Sequence, residues 1–386
     1  MAHLFKNPTP SAKGIILFTH KEMAWFFRGK NKTKLIKSFV KNPSLRKGTE
    51  IIKNPLSKFV TMYQKIRDHY YIGVHIGWDP AGQNLFDNCD FYLAADAYDM
   101  KKVENIFRIP IVSRNFTPKC FYNRHQKKYW DIISISRNPK HKNLNQFLKS
   151  IRKIYDLGYD FKVLLISPKN KNENDRFYTS LMDDYYSLFS YYERQNFSLL
   201  RLSSDVAFPG LSHELMAHFY NSAKIFTLFS QVEGSPKVVS EALCCGLPVV
   251  IKRDQRGGAK DFLDKTNSIF FDTYDSAHEA LIHAVKNYEN FNIDSEKQQK
   301  ALGEENSLAE IKEYFNTLYE KNGQKFDGEL INTDRLNVRI PAHLNEDIEW
   351  GRTRFKTGDV LSEEQLAKFM KNLDLETYKN NSNTSK

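Results

Sequence analysis

Cysteine is scarce in this 386-residue chain, which has only Cys89, Cys120, Cys244 and Cys245. None shows the paired spacing of a metal site, and the adjacent Cys244 and Cys245 do not readily bridge to each other. The set therefore excludes a disulfide-stapled secreted scaffold and reads as four reduced thiols in a cytosolic protein. Long apolar runs are also missing. The longest, such as 247–251, are strand-sized and too short to span a bilayer. Lys6, Pro8, Pro10 and Lys13 interrupt the N-terminal region, so a signal peptide is not expected there. No internal repeat or coiled-coil heptad is visible, and only the polar tail 378–386 reads as disordered.

What the chain does contain is bulk and a localised positive charge. Hydrophobic residues make up 41%, with 28 Phe and 20 Tyr, enough for real cores. The length suggests two domains and an extension rather than one domain. The formal net charge is +11. Ten basic residues and one acid, Glu50, lie between Arg28 and Lys58, so that stretch alone nets +9. It follows Trp25, Phe26 and Phe27. Aromatics beside basic residues suit an anionic membrane surface or a charged acceptor. They also suit nucleic-acid phosphates and bases, or simply a solvated Lys-rich face.

Strand-length apolar runs alternate with amphipathic helical stretches, the pattern of parallel α/β layers. In the first part, 14–19, 71–75, 90–94 and 110–112 read as strands, and 23–67 leans helical, broken by Pro43 and Pro55. The second part is more regular, with strands at 131–135, 161–166, 198–202, 225–229 and 247–251. Helices are expected at 143–157, ahead of Ser198, after an N-cap at Ser212, at 236–245, at 276–288 and at 307–321. A further amphipathic helix is expected at 361–369. The organisation that follows is 1–122, 123–325 and an extension, 326–386.

The segment 230–250 carries the chemistry. A strand leads into Glu233-Gly234-Ser235-Pro236-Lys237, a helix then runs to Gly246, and another strand follows. Pro236 suits the first helical turn with Ser235 as its cap, and Gly246 suits the helix end. The helix N-terminus then faces the crevice beyond the strand ends, where open α/β sheets bind anions and cofactors. Glu233 can accept hydrogen bonds from sugar hydroxyls, and Glu241 can hold a ribose diol. The spacing alone decides nothing: at about one Glu in twenty residues, a chain this long holds roughly one such pair by chance. Lys237 and Glu241 also fit a plain i,i+4 surface pair.

The surrounding text is more specific. Glu233-Gly-Ser-Pro, then Glu241-Ala-Leu-Cys-Cys-Gly246-Leu-Pro-Val-Val, resembles the donor-binding motif of glycosyltransferase family 4. Upstream, Ser134-Ile-Ser-Arg137 with Lys142 resembles the same family's segment that holds the donor diphosphate. The resemblance implies a GT-B architecture: two Rossmann-like α/β domains facing across a cleft, here with a reduced N-terminal one and a helical C-terminal extension. It implies a retaining hexosyltransferase of polysaccharide biosynthesis that takes a nucleoside-diphosphate sugar and needs no metal or other cofactor. Glu233 would contact the donor sugar and Glu241 the ribose. Arg137 and Lys142 would neutralise the diphosphate, with Lys140 as a weaker substitute for Lys142. Gly234 and Ser235 would offer backbone donors, beside Pro236 and Lys237. Family members also bring a histidine from the N-terminal half to the donor sugar. His75 fits that place, with His20 as its rival, so His75 and Glu233 are the candidate catalytic residues.

The likeness is close over 131–288 and thin over the first 120 residues, where Phe18 to Glu22 lack the glycine-rich loop of the family. The acceptor expected is a saccharide or lipid-linked molecule, with the enzyme in the cytoplasm and its basic stretch at the inner membrane face. A glycosyltransferase acting on modified nucleic acid is the alternative acceptor reading. A non-catalytic sugar-nucleotide-binding scaffold is the alternative of another class.

Overall fold

The computed structural model describes residues 3–19, 23, 58–76, 85–96, 98–112, 115–168, 175–202 and 211–330. His20, the aromatics Trp25 to Phe27, the basic stretch short of Lys58, and the helix and tail expected beyond 330 lie outside them. The chain divides into two compact units, Met1–Ser113 with Leu308–Lys386, and Arg114–Ser307.

In the first unit, strands β1 (His3–Lys6), β2 (Gly14–Thr19), β3 (Tyr70–His75), β4 (Phe91–Leu93) and β5 (Phe107–Ile109) form one sheet in sequence order. Only the edge strand β1 runs antiparallel to its neighbour. Helix α1 (Lys58–His69) precedes β3. Side chains alternate across the sheet with the period of two that a strand imposes. Ile16, Phe18, Ile72, Val74 and Tyr92 share one buried cluster with Tyr63 and Ile66 of α1.

Phe5, Tyr71, Phe91 and Phe107 come from alternate positions and meet Phe315, Tyr319 and Tyr314 in edge-on ring contacts. Those three aromatics lie on the last helix, which belongs with the first unit from Leu308 onward. The compact units divide elsewhere than the expected domains. The first boundary falls at 113/114 rather than 122/123, and residues 308–325 join the first unit, because their apolar stripe covers its sheet. Two strand readings also change. β1 was not expected, and the strand read at 110–112 lies at 107–109. Pro110 lacks an N–H, so the pairing with β4 runs just before it.

The second unit is a six-stranded, all-parallel sheet. Its strands are β6 (Trp130–Ile135), β7 (Val163–Pro168), β8 (Phe197–Leu202), β9 (Ala223–Leu228), β11 (Val249–Lys252) and β13 (Ser268–Phe271). Two short strands, β10 (Val232–Glu233) and β12 (Arg256–Gly257), pair outside it. The spatial order is β13-β11-β9-β6-β7-β8, so the winding reverses between β6 and β9. That is the doubly wound order, and its reversal opens a crevice at the carboxyl ends of the two strands.

Helices α2 (Leu144–Asp156), α3 (Asp175–Leu188) and α6 (Ala277–Lys286) share a core with Ile132, Leu165, Ile225 and Val250. Helices α4 (His213–Asn221) and α5 (Lys237–Cys244) cover the other face over Ile133, Phe226, Val249 and Ile251. Burial on both faces explains why these strands read as continuous apolar runs. The chain then passes through α7 (Ser295–Leu302) into α8 (Glu304–Lys321), the helix that covers the first unit's sheet.

All four cysteines are free, with Cys89, Cys244 and Cys245 buried and Cys120 half-buried. Burial pushes the Cys244 thiol up to about 12 and raises those of Cys89 and Cys245 further. No helix among the described residues is long and apolar enough to cross a membrane.

Candidate active site

β6 ends at Ile135, and the chain leaves the sheet through Ser136, the exposed Arg137 and a helical turn, Lys140–Lys142. Asn143 closes that turn in the left-handed region, φ 52°. Its Nδ2 donates to Tyr274 Oη at 2.6 Å and to the Phe229 carbonyl at 3.3 Å, while Tyr274 Oη donates to the same carbonyl at 3.0 Å. This fastens the turn to the end of β9 across the sheet reversal. The Gln231 N–H then donates to the His141 carbonyl at 2.9 Å. The two loops therefore meet, and Lys142 Nζ donates to Glu233 Oε1 in an ion pair. Glu233 is only 6% exposed, so its charge is held away from water with one cation beside it.

Glu233 is fixed from its other side by a loop that sequence reasoning passed over. β10 pairs with β12, Glu233 opposite Gly257. The Arg256 N–H donates to the Gln231 carbonyl at 3.0 Å, and the Gly258 N–H to the Gly234 carbonyl at 3.1 Å. Gly257 has φ +95°, and a Cβ there would lie 1.6 Å from the Glu233 carbonyl oxygen. Only glycine fits so close a backbone approach. The Gly257-Gly258 pair was the sequence signal for this clamp.

α5 begins beyond Glu233. Pro236, not Ser235, holds its cap position, with φ −74° and ψ 106°, and as a proline it offers no side-chain cap. The extended ψ at Pro236 delays the helix by one residue relative to the expected start. The far end is as expected: Gly246 has φ +76°, and its N–H and that of Leu247 return to the carbonyls of Leu243 and Ala242.

Glu241, in the second turn, is nearly buried and accepts a hydrogen bond from Tyr220 Oη of α4 at 3.0 Å. Burial raises its carboxyl above the ordinary range, against the lowering effects of the Tyr220 hydrogen bond and the Lys237 charge. Lys237 thus acts on Glu241 from one turn away, as its i,i+4 place allows.

The sequence candidates therefore fall into four places. Lys142 and Glu233 touch, with Gly234 to Lys237 continuing from them into α5. Glu241 sits deeper, against Tyr220. Arg137 is exposed at the end of β6 and has no ion-pair partner among the described residues. His75 lies in the first unit, at the carboxyl end of β3. Its Nε2 is buried without a hydrogen-bond partner, and burial pulls its imidazole down to about 4.

Residues 119–307 match the sequence model of the family glycosyl transferases group 1. This segment is similar to the glycosyl transferases group 1. The matched span includes Arg137, Lys142, Glu233 and Glu241, and it ends where the second unit ends. His75 lies outside it.

Among solved structures, the alpha,alpha-trehalose-phosphate synthase (UDP-forming) from Burkholderia xenovorans, in complex with glucose-6-phosphate, is 12% identical with a TM-score of 0.53. The match covers 82% of this chain and 89% of that one. The alpha,alpha-trehalose 6-phosphate synthase from Burkholderia multivorans is also 12% identical, with a TM-score of 0.52 over 78% of this chain and 80% of that one. At this identity the likeness is one of fold, the GT-B type built from two Rossmann-like units. The pneumococcal O-GlcNAc transferase GtfA, in complex with UDP and GlcNAc, matches at 12% identity and TM-score 0.45 over 66% of this chain. The present chain spans about half of that protein, 53% of its length. No curated protein matches the chain in sequence.

Proposed function

We propose that the protein is a retaining glycosyltransferase that moves a hexose from a nucleoside diphosphate to a saccharide or lipid-linked acceptor. The observation that carries this reading is the buried Glu233 carboxylate, paired with Lys142 at the sheet reversal of the glycosyltransferase domain. A buried acidic acceptor beside a lysine ammonium, ahead of a helix N-terminus, suits a sugar joined to a diphosphate.

In this scheme Arg137 and Lys142 hold the diphosphate, with Lys237 and the backbone of Gly234 and Ser235 at the helix start. Pro236 sets the angle at which the chain enters that helix. Glu233 accepts from the sugar hydroxyls, and Glu241 from the ribose. The bond between the anomeric carbon and the diphosphate oxygen breaks. A bond to the acceptor oxygen forms on the same face, and the acceptor proton passes to the departing diphosphate. No enzymic nucleophile and no metal enters the scheme, because position and charge supply the acceleration.

The test is a thermal-shift and hydrolysis screen with uridine, guanosine and adenosine diphosphate sugars. Uridine leads, since the Burkholderia xenovorans synthase is UDP-forming. One nucleotide should stabilise the protein, and Arg137→Ala and Glu241→Ala should each abolish most of that shift. A chain that no nucleotide stabilises would sink the reading. A nucleotide that binds but is never hydrolysed or transferred would leave only the scaffold alternative.

The basic stretch 28–58 is assigned to the acceptor side, at the anionic inner face of a membrane, in a cytoplasmic enzyme of polysaccharide biosynthesis. Co-sedimentation with phosphatidylserine vesicles that weakens with salt is the expected result. Salt-sensitive DNA binding in its place would favour the nucleic-acid acceptor.

A further inference from the structure

We propose that the Lys142–Glu233 ion pair is a latch that the donor diphosphate exchanges. Lys142 neutralises Glu233, and donor binding transfers the ammonium to the diphosphate, releasing Glu233 to the sugar. The inference rests on the donor-site reading above and adds how its two subsites are coupled.

The geometry supplies the parts. Glu233 sits on a short strand clamped through Gly257 and Gly258, so its backbone is held in place. Lys142 sits at the end of a turn that Asn143 and Tyr274 fasten to β9. Between these two fixed backbones only the side chains are free to rearrange. The lysine side chain is suited to it: a compact point charge with three rotatable donors on a flexible stem. The Lys142 side chain retains 17% of its exposure and that of Glu233 8%, so the cation is the member nearer to water. A diphosphate offers more negative charge than one carboxylate and outbids it for the ammonium.

Glu233 cannot remain buried and unpaired once Lys142 leaves, because an uncompensated buried charge is strongly unfavourable. Hydrogen bonds from sugar hydroxyls are the compensation on hand. Occupancy of the diphosphate subsite and of the sugar subsite therefore favour each other. A coupling of this kind typically amounts to about 5-fold or more in affinity.

One consequence is opposite to intuition: removal of a carboxylate from the sugar subsite strengthens binding of a bare diphosphate. Inorganic pyrophosphate is the probe, since it carries the diphosphate without base or sugar. Titration calorimetry on the full chain should show pyrophosphate binding Glu233→Gln at least about 5-fold more tightly than wild type. The gain should vanish in the Lys142→Met background, where the double variant binds no better than Lys142→Met alone. Glu241→Gln, a carboxylate of the same site outside the pair, should give no comparable gain.

If Glu233→Gln does not fold, Glu233→Asp withdraws the carboxylate by one methylene and should tighten pyrophosphate in the same direction. Unchanged or weaker pyrophosphate binding by the Glu233 variants overturns the latch. So does a gain that persists without Lys142, which would be general relief of repulsion. If a nucleotide sugar still binds wild type in either case, the donor-site reading stands. If none binds, that reading fails by itself.

Discussion

At the scale of single residues, Glu241 shows a conflict between binding and stability. Its folded carboxyl is raised by burial, so the folded state holds its proton more tightly than the unfolded chain. Its favourable contribution is complete below the ordinary glutamate range and is lost as pH climbs through the raised value. Glu241→Gln keeps an acceptor for Tyr220 and removes that loss. The variant should melt above wild type at pH 7, and the gap should close as the pH falls below the ordinary glutamate range, as differential scanning calorimetry can show. The same variant should lose nucleotide stabilisation.

His75 titrates the other way. Its imidazole falls to about 4 through burial, so the unfolded chain binds the proton first as pH drops. Stability is therefore lost from about pH 6.5 down to 4, by up to about 3 kcal/mol. His75→Gln should flatten that acid slope in urea titrations. Turnover by wild type should show no inflection from this group between pH 5 and 8.

Among secondary-structure elements, the decisive feature is the pairing of β10 with β12. Gly257→Ala forces a methyl group against the Glu233 carbonyl at a positive φ, a strain of about 1–3 kcal/mol. Nucleotide affinity should fall by about tenfold or more, while the circular dichroism spectrum keeps its shape.

How far these elements were legible follows from the range of their contacts. β6 and β9 were visible as strand-length apolar runs, and α2 because its buried stripe recurs at the helical period. The Glu233 loop and Lys142 were visible through the family resemblance. Tyr220 beside Glu241, Tyr274 beside Asn143 and Gly257 beside Glu233 were not, because each pairing joins segments distant in sequence. Two-residue strands such as β10 and β12 are too short to show any period. Ser235 looked like a cap by composition, yet ψ at Pro236 moved the helix start.

At the scale of the whole molecule, the two units are unequal in how they are completed. Residues 114–307 contain their own sheet and both helical layers, so this fragment should fold alone with a cooperative thermal transition. Residues 1–113 lack α8, whose Phe315 and Tyr319 cover Phe5, Tyr71 and Phe91. That fragment should be insoluble or molten, and addition of a peptide of residues 304–330 should restore a near-ultraviolet aromatic signal. Three exposed aromatic rings and a bare sheet face account for the difference.

The buried thiols give each unit a built-in clock. Cys89 lies in the core of the first unit, and Cys244 and Cys245 lie in that of the second. Shielded and held protonated, they should resist alkylation until their own unit opens. A pulse of iodoacetamide during unfolding, read by peptide mass spectrometry, should therefore time the opening of each unit separately in an unmodified chain. Cys120, half-buried, should react first and mark zero time.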